Sequence, residues 1–362
     1  MKRPQRILVV RTDRLGDVVL ATPLLRALRR TFPDAYLAAL VRPYARDLLV
    51  GNPHLDEILV DDRDGAHRGV LGFWKQVAAL GRRRFDAALL LLPTSRAAWM
   101  LFLAGIRRRI GVGRKFYEVV TWMESVSRNR YVPLRHEADY CLDLGRRLGV
   151  ESTDLDTEVH LAAEEREHGW RVLTGAGARA GDRLVGIHPG SGGSSPNWEP
   201  ERYAALAGAL LERGGPALRI VITGEASDSS FPGGGRVFDM RGSRSLRELM
   251  SILSHLHCLV SSSTGPMHVA AALRVPTVSL FCPLPACSPE LWGPRGNRAT
   301  IVLPPAGSCA VRCPGDPKVC RFEEIAVERV AGAVLQSLEA IATPRPGAER
   351  KSPGGSGPEG HE

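Results

Sequence analysis

Short, unbroken apolar runs alternate along this chain with longer stretches in which apolar residues recur every three to four positions. Ile7 to Val10 is such a run, and its length and β-branching predict a strand buried on both faces of a parallel sheet. Thr12 to Asp17 is a polar turn, and Val18 to Arg30 carries helical spacing at Val18, Leu20, Leu24, Leu25 and Leu28. The pattern then predicts strands over 36–41, 56–60 and 87–92, with a helix over 73–83. The stretch 107–130 is rich in Arg and Gly with weak periodicity, so it is expected to be exposed. A helix is predicted over 137–148, and a crossing strand and linker over 152–163.

A second alternation follows. Strands are predicted over 184–187, 219–223, 258–260 and 276–281, and helices over 200–212, 246–253 and 322–341. Alternation of this kind implies α/β architecture with two doubly wound, Rossmann-like domains. The expected division is residues 1–165, residues 180–342, and a tail over 343–362 whose Pro, Gly, Ser and charge predict disorder. Ligands of such folds bind at the C-terminal ends of the strands, in the cleft between domains.

The 362 residues are 44% hydrophobic, which suits two globular domains. No run approaches the ~20 apolar residues of a membrane span. The start of the chain reads as a first strand rather than a signal peptide, so a cytoplasmic protein with reduced thiols is expected. The formal net charge is +9. That excess points to an anionic partner or to solvated helix faces. Nucleic acid is the poorest of these partners, because no aromatic-interleaved basic motif or recognition helix is visible. Of seven cysteines, Cys141, Cys258, Cys282 and Cys287 are scattered, whereas Cys309, Cys313 and Cys320 form C-x3-C-x6-C in a Pro/Gly-rich loop. That spacing fits no standard zinc pattern, so no metal site is assigned, and packing or loop stapling is expected.

Three turns carry candidate chemistry. After the apolar run Cys258-Leu259-Val260 comes Ser261-Ser-Ser-Thr-Gly-Pro-Met-His268, which opens a helix. Ser263 or Thr264 can cap it, Gly265 relieves the turn, and Pro266 suits the first helical position. Its free N–H groups and dipole would favour phosphate, although an ordinary capped helix has the same pattern. In the first turn, Gly16 allows close backbone approach, and Asp17 is either an N-cap or a general base at the cleft wall. In the third, His188-Pro-Gly190-Ser191-Gly-Gly193 is a glycine-rich loop lacking the Gly-Lys-Ser/Thr ending of a P-loop. His188 is expected to be structural or to contact substrate, rather than to bind metal. Glu225, after the next strand, can receive ribose hydroxyls or be a solvated turn residue.

Taken together, three stretches resemble glycosyltransferase family 9, the heptosyltransferases. They are Ile7 through Leu28, His188 to Gly193 with Trp198-Glu-Pro-Glu-Arg-Tyr203, and Ser262 through Leu273. The resemblance extends to about Ile341. It implies GT-B architecture, with the acceptor on the N-terminal domain and the nucleotide sugar on the C-terminal one. It implies inverting transfer of heptose from ADP-heptose to the inner core of lipopolysaccharide, with Asp17 as general base. Ser263, Thr264, Gly265, Pro266, Met267 and His268 would form the diphosphate loop, with His188, Gly190, Ser191 and Glu225 also on the donor. Arg11, Arg14, Gly16, Arg107 and Arg109 are the acceptor-side candidates. Arg107 to Arg109, Arg114, Lys115, Arg128 and Arg130 are expected to meet the acceptor or the anionic inner-membrane surface.

Two positions depart from the family pattern. Many relatives have Asp where this chain has Ser263. Many have Lys where Pro196 or Asn197 stands. Arg11 or Arg14 across the cleft, or a divalent cation such as Mg2+, are the candidates to replace that charge; no cofactor is otherwise required. The pattern also leaves open another sugar or acceptor, in polysaccharide or glycoprotein assembly, and a non-catalytic nucleotide-sugar-binding protein.

Overall fold

The computed structural model describes residues 3–342, apart from 114, 128–131, 194, 226–230, 243, 310–312, 314 and 317–318. The tail 343–362, Arg114, Arg128 and Arg130 lie outside the described residues.

The first domain runs β1 (Arg6–Val10), α1 (Leu15–Leu20), α2 (Thr22–Thr31), β2 (Tyr36–Val41), α3 (Arg46–Leu49), β3 (Glu57–Val60), α4 (Gly69–Arg83), β4 (Ala87–Leu90), α5 (Ser95–Leu103), β5 (Arg108–Val112), α6 (Phe116–Val120), β6 (Glu124–Val126) and α7 (Glu137–Arg146). Its sheet has the order β3-β2-β1-β4-β5-β6, with every pair parallel. Leu8 and Val10 of β1 pack with α4 and α5 on one face, while Ile7 and Val9 pack with α1, α2 and α7 on the other. Burial on both faces explains why these strands are apolar throughout.

The second domain is introduced by α8 (Ala163–Gly175) and runs β7 (Arg183–His188), α9 (Pro200–Arg213), β8 (Leu218–Ile222), β9 (Val237–Asp239), α10 (Leu246–Leu253), β10 (Cys258–Ser262), α11 (Gly265–Ala272), β11 (Thr277–Leu280), α12 (Pro289–Trp292), β12 (Ala299–Val302) and α13 (Val327–Ala342). Its sheet order, β12-β11-β10-β7-β8-β9, repeats the first topology and is again parallel. In both sheets the chain reverses direction of growth at the centre, between β1 and β4 and between β7 and β10. A crevice opens at such a reversal, beyond the strand C-termini. The three motif turns leave β1, β7 and β10, so each one borders a crevice.

Some elements differ from the pattern-based expectation. The helix expected over 18–30 is two helices, because Pro23 in the first turn of α2 cannot continue an earlier ladder. Among the described residues of 107–130 the expected exposure holds only in part: Arg107, Lys115, Phe116, Val119 and Trp122 are exposed, but β5, α6 and β6 give the stretch regular structure, and Ile110 and Val112 are core. No strand forms among 152–163. The chain is irregular over 151–162 and then enters α8, which packs on α10 through the fit of Gly169 against Ser251. The apolar core is continuous across this junction, from α1, α2 and α3 to α8, α10 and α11. Among the described residues, no helix is long and apolar enough to cross a membrane.

Candidate active site

The first turn and the β10–α11 turn meet head to head. Gly265 lies against Leu15, where an added Cβ would be 3.2 Å from the Leu15 Cβ, and Gly16 lies against the His268 ring. The N-terminal ends of α1 and α11 therefore open into one space. A small chamber of about 140 Å³ there is lined by Arg14, Gly16, Asp17, Ser195, Ser263, Thr264, Gly265, His268, Cys287 and Trp292. It adjoins a cleft of about 740 Å³ that shares Arg14, Gly16, Thr264 and Gly265 and extends over His188, Gly190, Ser191 and Glu225 to Tyr44, Met240, Arg244 and Leu249.

Asp17 is oriented by a buried guanidinium. Arg11 Nη2 donates to Asp17 Oδ1 at 2.5 Å, and Nη1 and Nη2 donate to Glu137 Oε1 at 3.1 and 3.0 Å. Arg11 Nε lies 2.8 Å from Asp13 Oδ1. Burial lowers the pKa of Arg11, but Asp13, Asp17, Cys141 and Glu137 together outweigh it and hold the guanidinium well above its ordinary value. Arg11 therefore has no free donor face for an acceptor; it holds Asp17, which corrects the expectation of direct acceptor contact. Burial pushes the Asp13 carboxyl up to about 6 against the pull of Arg11.

At the opposing helix, Thr264 is the N-cap, with extended backbone, but its hydroxyl does not cap: Thr264 Oγ1 is buried with no hydrogen-bond partner among the described residues. His268 Nδ1 is in the same condition. Two unpaired buried polar atoms beside a helix N-terminus are costly unless a ligand completes them. Burial, with His136 adding, lowers His268 to about 3, so its ring is neutral. Met267 departs from expectation: its side chain is wholly buried in the core, so only its backbone can face a ligand.

His188 lines the cleft as a neutral imidazole, lowered to about 4 by burial, with Nδ1 3.0 Å from Thr223 Oγ1. Of the two candidate positions for the expected lysine, Pro196 and Asn197, neither is charged, and Asn197 donates from Nδ2 to the Pro189 carbonyl and accepts from Tyr203 Oη at 2.8 Å. It fastens the glycine-rich loop to α9 and supplies no charge. Arg14 is exposed and lines both chamber and cleft, which makes it the cation in position.

Arg107 and Arg109 are not brought to the site. Both lie at the start of β5, the end of the sheet away from the cleft. Arg109 is buried, donating to the carbonyls of Ile106, Arg107 and Thr121. Sequence reasoning missed Asp13, Glu137, Tyr44, Arg244 and Trp292. Asp13 alone had a local signal, lying in the same turn as Asp17.

Cys309, Cys313 and Cys320 share a pocket of about 220 Å³ with Cys282 and Cys287, so two cysteines that look scattered in sequence join them in space. Burial raises the Cys282 thiol to about 11. No group of three or more His, Cys, Asp or Glu among the described residues is placed to hold a metal ion. Asp13, Asp17 and Glu137 converge on Arg11.

Comparison with known proteins gives the family and the fold. Residues 73–314 match the family model for glycosyltransferase family 9 (heptosyltransferase). A putative glycosyltransferase of Haemophilus influenzae is 24% identical over 317 residues, covering 84% of this chain and 90% of that protein. The lipopolysaccharide heptosyltransferase 2 of Escherichia coli is 23% identical over 355 residues, covering 93% and 98%. Among solved structures, a family 9 glycosyl transferase from Veillonella parvula superposes with a TM-score of 0.79 at 23% identity, covering 93% of this chain and 98% of that one. The E. coli heptosyltransferase WaaC with ADP does so at 0.67 and 17%, covering 92% and 99%. These neighbours have the GT-B fold, and so does this chain. With two matched parallel sheets around one cleft, and a family match over most of its length, the chain belongs to glycosyltransferase family 9 and is a glycosyltransferase.

Proposed function

We propose that this enzyme transfers heptose from ADP-heptose to a lipopolysaccharide inner-core precursor with inversion, using Asp17 as general base. One observation carries the reading: Asp17 and the unsatisfied N-terminal end of α11 line the same chamber from opposite domains. A hydroxyl-activating carboxylate and a diphosphate-holding helix end must face each other across the anomeric carbon in a direct displacement.

The acceptor hydroxyl gives its proton to the free oxygen of Asp17, while Arg11 holds the other oxygen still. The acceptor oxygen forms its bond to the anomeric carbon as the bond to the β-phosphate oxygen breaks, and ADP leaves with that electron pair. Charge gathers on the β-phosphate. The N–H groups of α11, the Thr264 hydroxyl and the Arg14 guanidinium stabilise it. His188, Gly190 and Ser191 border the diphosphate, and Glu225 stands where a ribose can be hydrogen-bonded. Met240 and Leu249 offer an apolar wall for the base. The ADP carried by the WaaC structure supports this choice of nucleotide.

The test is ADP release from ADP-heptose with a deacylated inner-core acceptor. Asp17→Asn should lower turnover by about 10²- to 10⁴-fold while ADP still raises the thermal midpoint more than UDP or GDP does. Nucleotide binding with no turnover on any heptose acceptor would instead mean a binding protein. Stabilisation by UDP or GDP rather than ADP would redirect the donor assignment.

A further inference from the structure

We infer that the outer face formed by α4, α5 and α6 is a docking surface for an anionic lipid bilayer. This face lies across the first sheet from α1, α2 and α7, so it does not contribute to the cleft or to the domain junction. Yet it carries the densest exposed apolar surface described in the protein. Leu71 is 87% exposed, Phe116 85% and Trp122 81%, with Val70, Trp74 and Val119 also exposed. Single exposed apolar residues need no explanation, but a contiguous patch does.

The patch is contiguous by contact. Trp74 meets Phe73 edge-on at 5.9 Å. Phe73, Val70, Trp99 and Leu103 line one open depression between α4 and α5. Trp99 then meets Phe102 at 5.8 Å, and Phe102 meets Trp122 at 6.4 Å. An aromatic chain thus runs from the rim of the cleft, where α4 begins, across α5 to the far end of the sheet.

Charge selects the occupant. Arg68 immediately precedes α4, Lys75 adjoins Trp74, Arg107 follows α5, and Lys115 precedes Phe116. All four are exposed and none is in an ion pair among the described residues. The exposed carboxylates nearby are already engaged, Asp64 by Arg42 and Glu124 by Arg108. Tryptophan and phenylalanine with unpaired Arg and Lys around them match an interface of acyl chains below anionic headgroups. Each basic residue near such a surface adds on the order of 1 kcal/mol. The glycan acceptor of the preceding section would then be presented from the same plane. The docking inference rests on the surface itself and would stand even if the transferase reading failed.

Co-sedimentation with phosphatidylglycerol/phosphatidylcholine vesicles tests this. The native protein should bind vesicles containing phosphatidylglycerol, bind phosphatidylcholine alone weakly, and release in high salt. The triple variant Leu71→Ser, Trp74→Ser, Trp122→Ser should weaken binding by roughly tenfold or more. Its thermal midpoint and its ADP release with the deacylated, soluble acceptor should stay native, because none of the three lines the cleft. Replacing Arg68, Lys75, Arg107 and Lys115 with Gln should remove the preference for anionic vesicles. Unchanged vesicle binding by the triple variant would overturn the inference. So would native protein that ignores vesicles but forms a dimer that the triple variant abolishes, which would make a second copy the occupant.

Discussion

An added Cβ on Gly16 would lie 2.7 Å from Cδ2 of His268, so the turn after β1 and the helix after β10 are in contact through a position where only glycine fits. The two residues are far apart in the chain and belong to different domains. Their contact sets how far Asp17 stands from the end of α11. Gly16→Ala must displace the His268 ring or separate α1 from α11. Overpacking of this kind costs about 1–3 kcal/mol. Turnover should fall by about tenfold or more, since small misplacements of reacting groups are expensive. The thermal midpoint should drop by only a few degrees. Kinetics and melting curves on one preparation check both, and native turnover would show that the spacing is not set here.

Arg11 gathers Asp13, Asp17 and Glu137, and a lysine cannot reproduce its planar fork. Arg11→Lys should leave Asp17 free to rotate and should lower kcat by about 10–100-fold, within the range of a misoriented general base. The affinity for ADP should not change, because the described partners of Arg11 are Asp13, Asp17, Glu137 and Cys141, all in the N-terminal domain. The variant should also be less stable, because a lost partner leaves buried carboxylates uncompensated. Calorimetric ADP titration beside kcat separates these effects. Weakened ADP binding would place Arg11 on the donor instead.

Arg14 is the exposed cation shared by chamber and cleft, and neither Pro196 nor Asn197 on the opposite loop supplies a charge. If Arg14 meets charge as it develops on the departing phosphate, Arg14→Ala should cost about 10²-fold in kcat, the scale of removing one such donor. The acceptor KM should move little. A large change in acceptor KM with native kcat would assign Arg14 to the acceptor.

Strands such as β1 and β10 were legible because burial on both faces demands unbroken apolar residues, and α11 because its cap, glycine and proline are local. Asp17 was legible as a position but not as a geometry. The Arg11–Glu137 bond spans 126 residues and no local pattern records it. Helix α8 was hidden because it buries only Gly169 and Leu173, so its apolar stripe is too thin to read. The strands β9 and β12 are short edges with exposed or half-buried residues and carry little alternation. Arg109 looked like a surface charge because sequence cannot tell a solvated arginine from one spent on three carbonyls.

Acid should destabilise the site through its histidines. Burial lowers His136 and His188 to about 4 and His268 to about 3. In the unfolded chain a histidine titrates near 6.5. Below that pH the unfolded state therefore binds protons that the folded state refuses, and stability falls as pH falls. The contribution is complete above about 6.5 and is lost progressively down to about 4 for His136 and His188 and about 3 for His268, on the order of a few kcal/mol for each histidine. His136 connects this loss to catalysis. Its Nδ1 accepts from Ala138 N at 3.2 Å, capping α7, and its Nε2 donates to the Gly293 carbonyl of the other domain at 2.8 Å. Protonation of Nδ1 removes the cap from the helix turn that carries Glu137, and with it the anchor of Arg11. Melting temperatures between pH 4.5 and 7.5 should be flat above about 6.5 and decline below. His136→Asn, which can still cap α7 without titrating, should make that decline shallower. An unaltered slope in the variant would show that His136 takes no part in it.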